Sequence, residues 1–96
     1  MKKTFKLTHE RIKPERQVEA VKHEIRKYIK RERSKKLAPG VDFLDFDCRF
    51  GLDEANTEQI HLAEIDKSIN WVVSEGKTSF YLEIVAKPGY RNKKEY

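Results

Sequence analysis

The segment Phe43 to Phe50 constrains the fold most, because Leu44, Phe46, Cys48 and Phe50 alternate with Asp45, Asp47 and Arg49. A strand sends successive side chains to opposite faces, so this alternation predicts a strand with one apolar and one charged face. A sheet buried on both sides has no place for such a strand, whereas an antiparallel sheet with one wet face does.

The other elements are read against that strand. Thr4 to Thr8 alternates polar and apolar residues and predicts a short strand with Phe5 and Leu7 inward. Pro14 suits a first helical turn, and Val18, Val21, Ile25, Tyr28 and Ile29 recur at helical spacing, predicting a helix from Pro14 to Ser34 before Pro39-Gly40. Gly51 to Gln59 reads as a polar insert. Beyond it, Gln59 to Ile65 reads as the second strand of a hairpin, followed by a helix that Asp66 caps and Gly76 ends. The periodic set Leu62, Ile65, Ile69, Val72 and Val73 also permits one longer helix there. Ser79 to Ala86 predicts a last strand.

The expected order is β-α-β-β-α-β, a ferredoxin-like two-layer α+β sandwich whose four-stranded antiparallel sheet carries two helices on one face. The alternative is a β-α-β-α-β two-layer sandwich. A chain of 96 residues fits one domain, expected over residues 1–87, with a polar basic tail at 88–96. No apolar run approaches the roughly 20 residues of a membrane span, and the start lacks a secretion signal, so a cytoplasmic protein is expected. Cys48 is the only cysteine, which excludes an internal disulfide and a cysteine-based zinc cluster.

Charge is segregated along the chain. Arg26 to Lys36 holds seven basic side chains against Glu32, while Val41 to Asp66 holds eight acids against Arg49. Arg26, Lys27, Lys30, Arg31, Arg33, Lys35 and Lys36 form one patch that can contact several phosphates, and Arg91, Lys93 and Lys94 extend it from the tail. A solvated helix end whose cations answer the helix dipole and the acidic hairpin is the bland reading. The RNA-recognition motif shares the element order but stacks bases on aromatics of the open sheet face. Parity turns Phe5, Phe46, Phe50 and Phe80 inward here and leaves Tyr81, Thr4, Lys6, His61, Asp45, Asp47 and Glu83 outside, so nucleic acid is expected at the helix and tail instead.

An enzyme reading would use Asp45, Asp47, His61 and Glu83 on that face to hold a divalent cation or to move protons. No nucleophile-base pair, phosphate loop or metal-ligand spacing supports it, and Arg49 and Lys6 are available to pair with the acids. Cys48 is expected to be an inert core thiol and Trp71 a core-edge residue of the second helix. His9 and His23 lack partners at ligand spacing, and Tyr90 and Tyr96 lie among basic residues able to stack on bases or solvate the tail.

Through Lys3-Thr4-Phe5-Lys6-Leu7-Thr8-His9, Tyr28-Ile29-Lys30-Arg31-Glu32-Arg33, Asp45-Phe46-Asp47-Cys48-Arg49-Phe50-Gly51 and Lys87-Pro88-Gly89, the chain resembles a small family of uncharacterised bacterial proteins of about this length. The resemblance implies a bacterial cytoplasmic origin and no activity, cofactor or catalytic residue. The expectation is a non-catalytic module, without cofactor, that docks on RNA or a ribonucleoprotein. The alternative is a protein-interaction or dimerising module whose basic helix meets an acidic surface, such as the Asp42 to Asp66 region of a second copy.

Overall fold

A computed structural model describes residues 1–90. It runs β1 (Lys2–Lys6), α1 (Pro14–Arg33), β2 (Phe43–Asp53), β3 (Asn56–Ile60), a 3-10 turn (Leu62–Glu64), α2 (Ile65–Ser74) and β4 (Ser79–Gly89). The architecture is α+β, and the element order is β-α-β-β-α-β with both helices on one face of an antiparallel sheet. Across that sheet the strands run β1-β4-β2-β3, so the two longest occupy the centre. A ferredoxin-like sheet has its first and third strands there, so the layers agree with expectation while the strand order differs. Each helix crosses over one intervening strand, α1 over β4 and α2 over β2.

The core follows from strand parity. Phe5, Phe46, Cys48, Phe50, Phe80, Leu82 and Ile84 turn toward the helices and meet Val21, Ile25, Ile65, Ile69 and Val72 in one cluster. Phe80 stacks between Phe5 and Phe50, with ring centroids 5.3 and 5.2 Å away. Such ring pairs add about 0.5–1.5 kcal/mol each beyond the area they bury.

Several expected boundaries move, each for a local reason. β1 spans Lys2–Lys6, although Leu7 is still buried and its N–H reaches Thr78 O at 2.8 Å. α1 ends at Arg33, with Ser34 as its C-cap. The supposed polar insert is the hairpin itself. Its register shifts between Gly51 and Asp53, and Asp53 Oδ1 accepts from the N–H groups of Ala55 (3.0 Å) and Asn56 (2.9 Å) to tie the turn. β3 therefore covers Asn56–Ile60 and stops where His61 starts a capping box. There His61 Nδ1 accepts from Ala63 N–H at 3.1 Å, and Glu64 Oε1 accepts from His61 N–H at 3.0 Å. The expected strand thus ends at Ile60, and from His61 the chain enters the 3-10 turn Leu62–Glu64, which runs without a break into α2 at Ile65.

Glu64, not Asp66, is the N-cap residue of α2, and Asp66 in the first turn pairs with Arg26 instead. Gly76 ends that helix as expected. At φ +70°, where a Cβ would be strained, it donates to Val73 O (3.0 Å) while Lys77 donates to Val72 O (3.1 Å), satisfying the last carbonyls. β4 continues through Gly89, because Lys87, Pro88 and Gly89 pair with Asp45, Leu44 and Phe43. No described helix is long and apolar enough to cross a membrane.

Candidate functional site

Two interactions orient α1 toward α2. Lys22, which falls at helical spacing beside Val18 and Ile25, is 9% exposed and donates to Asn70 Oδ1 at 2.6 Å. Arg26 meets Asp66 at 2.8 Å, and this hydrogen bond and charge raise its pKa further. With that flank engaged, Lys27, Lys30 and Arg31 project into solvent along the second half of the helix.

The basic residues named from sequence are thereby sorted. Arg26 is held by Asp66 and Lys35 by Glu32. Arg33 lies over Phe46, its guanidinium carbon 5.6 Å from the ring centroid. Lys27, Lys30, Arg31 and Lys36 have no carboxylate partner among the described residues. Lys27 and Arg33 stand about 9 Å apart along the axis at 1.5 Å per residue. Lys30, Arg31 and Arg33 also occupy the last helical turn, where the dipole favours cations.

This ridge borders a groove of about 480 Å³ in which Arg26, Lys30 and Arg33 rim a floor of Ile29, Leu62 and Ala63. His61 also lines it. A smaller groove of about 270 Å³ is lined by Lys35, Lys36 and Lys87 together with Glu32, Leu37, Val41 and Leu44. The arrangement can neutralise anionic groups while offering apolar surface between them. Arg91, Lys93 and Lys94 lie outside the described residues.

The open sheet face is organised differently from expectation. His61 is absent from it, because the chain has left β3 by then. Lys87, expected at the edge of the tail, sits on β4 and meets Asp47 at 2.6 Å and Asp45 at 4.0 Å, which raises its own pKa. Arg49 donates to Thr57 Oγ1 and to Thr57 O, and neither Arg49 nor Lys6 pairs with the acids. Glu83 accepts from Tyr81 Oη at 2.9 Å. Burial and this bond push the Tyr81 phenol up to about 12. The candidates Asp45, Asp47, His61 and Glu83 are therefore not brought together, and no three described His, Cys, Asp or Glu side chains could hold a metal ion.

Cys48 is fully buried, and desolvation, followed by the charges of Asp47 and Asp45, pushes its thiol up to about 11. That is the environment of an inert thiol. His9 Nδ1 accepts from Arg11 N–H in a local turn, and His23 is exposed on α1. Trp71 departs from its core-edge expectation, being 50% exposed beside a third groove between α2 and the β2–β3 hairpin. Trp71, Lys22 and Lys87 were the residues undervalued by sequence. The spacing of Val18, Val21, Lys22 and Ile25 was the signal for Lys22.

A model of DUF6172, a family of unknown function, matches residues 1–95. The chain belongs to that family. No curated protein and no solved structure gives a significant match. Family membership thus spans nearly the whole chain, from β1 through the basic ridge to the segment after β4.

Proposed function

We propose that this chain is a non-catalytic binding module that docks on RNA or a ribonucleoprotein through the second half of α1, with the basic segment after Tyr90 adding contacts. The observation that carries the reading is the set Lys27, Lys30, Arg31 and Lys36, four exposed cations without a carboxylate partner among the described residues, while neighbouring cations have one. Cations of this kind, three on α1 and Lys36 just beyond its C-cap, contact phosphates without first breaking an ion pair to a described carboxylate, and binding releases counterions from the polyanion. Arg33, seated on Phe46, presents a planar cation able to stack on an unpaired base.

The test is fluorescence-anisotropy binding of single-stranded RNA, duplex RNA and duplex DNA at several salt concentrations. Four phosphate contacts predict a log K against log salt slope of about −3 for a single strand. A Lys27→Glu, Lys30→Glu, Arg31→Glu variant should abolish binding. Absence of binding at low salt, or equal binding by the variant, refutes the reading.

The alternative, a basic helix docking on the acidic region of a second copy, has less to draw on. Arg26 of the same chain engages Asp66, and Lys87 engages Asp45 and Asp47. Sedimentation without nucleic acid separates the readings, since only this one requires self-association.

A further inference from the structure

In α2, Ile65, Ile69 and Val72 face the core, Asp66 and Asn70 hold α1, and Ser68 and Trp71 fall on the opposite flank. With the helix tied toward α1, the helix-side surface of β3 is left uncovered. Glu58 lies opposite Phe50 and Ile60 opposite Cys48, which puts both on that side, yet Glu58 is exposed and Ile60 only half-buried. The resulting groove, about 520 Å³, is lined by Phe50, Leu52, Ile60, Ser68 and Trp71, with Leu52 40% and Trp71 50% exposed.

Beside this groove runs a strand edge with no partner among the described residues. There β3 pairs only with β2, and an open edge is a template for a further strand. The sheet's two edges are unlike. β1 carries Lys2, Lys3 and Lys6, charges that discourage edge pairing, whereas Asn56-Thr57-Glu58-Gln59-Ile60 contains no lysine and no proline.

We propose that the β3 edge and its groove form a docking surface for an extended basic segment of another protein, added as a fifth strand with alternate apolar side chains entering beneath Trp71. Charge selects the partner. Among the described residues, Glu58 and Glu64 line the groove against the one cation Lys67, and the adjoining turn adds Asp53 and Glu54. A second copy paired antiparallel about the middle of β3 would set Glu58 against its own equivalent, and like charges across strands repel.

Trp71 is the chain's only tryptophan, so its emission reports directly on the groove. The probe is a capped nine-residue peptide alternating lysine and valine. Beside it stand a glutamate-for-lysine counterpart and two counterparts N-methylated at one or the other alternate set of residues. The expected result is a saturable blue shift of Trp71 emission by the lysine peptide. Affinity should fall at least tenfold for one N-methylated peptide and for the Glu58→Lys variant, and stay unchanged in Glu75→Lys. Equal binding of the glutamate peptide, or undiminished binding of both N-methylated peptides, would overturn the proposal. So would self-association that shifts the emission in the absence of peptide, which would assign the surface to a second copy.

Discussion

Replacing Gly51 by alanine tests the hairpin geometry on which the β3 edge depends. An added Cβ would stand 1.9 Å from the Asn56 carbonyl oxygen and 2.8 Å from its carbon, inside the 3.0 Å that real Cβ contacts respect. Both atoms are backbone, so no side chain can swing away. The strands must separate by about an ångström, or the register shift between Gly51 and Asp53 must unwind. Overpacking of this kind costs about 3 kcal/mol at the upper end, equivalent to a Tm drop of about 12–24 °C in a domain this small. Gly76→Ala is the control, because nothing lies within 4 Å of its Cβ and only the φ of +70° is strained. That strain costs about 1–2 kcal/mol. Thermal unfolding by circular dichroism measures the totals, and amide hydrogen exchange locates them. Gly51→Ala should lose protection first in β3, whereas Gly76→Ala should leave the hairpin's local protection unchanged. A Gly51→Ala protein with natural Tm and natural β3 exchange would refute the reasoning.

Other expectations follow from single contacts. Cys48 should resist thiol reagents in the folded protein at pH 8, where a pKa of about 11 leaves about a thousandth as thiolate; stoichiometric labelling within minutes would contradict its burial. Its thiol is raised from 9.0 to about 11, so the folded state keeps a proton that the unfolded state releases, and that stabilisation is complete below pH 9 and lost as pH rises to 11. The urea midpoint should decline over this range and decline less in Cys48→Ala, with Tyr81 adding a second loss between pH 10 and about 12. Asn70→Ala leaves the Lys22 ammonium without its acceptor and should cost about 1–3 kcal/mol in urea unfolding, whereas Lys22→Met in that background should restore part of the loss. His61→Ala removes the capping acceptor of Ala63 N–H and should cost about 1 kcal/mol.

Strand parity was legible because a half-buried sheet writes its burial into every second residue. Phe46, Cys48 and Phe50, together with Phe80, Leu82 and Ile84, all lie where alternation put them. The segment from Gly51 to Ile65 was not, because its structure depends on side-chain to backbone bonds that leave no periodicity. One Asp53 carboxylate closes a turn, and one His61 imidazole stops a strand. Strand order was equally hidden, since alternation states which face is buried and not which neighbour pairs. Of the candidate site, the ridge could be read from residue types, but which cations have carboxylate partners among the described residues could not. Arg26 and Asp66 stand 40 positions apart, and only the fold brings them together.

Strand order also sets when this protein can fold. The last strand, β4, is the only link between β1 and the rest of the sheet, and it forms one side of the central pair. Until residues 79–89 are available, the preceding chain can make α1, the β2–β3 hairpin and α2, but Phe5 and Phe50 have no Phe80 between them. A lone hairpin is marginal in water. During synthesis the first 78 residues therefore lack the Phe80, Leu82 and Ile84 share of the core, and the sheet closes across its centre and its β1 edge together once β4 enters.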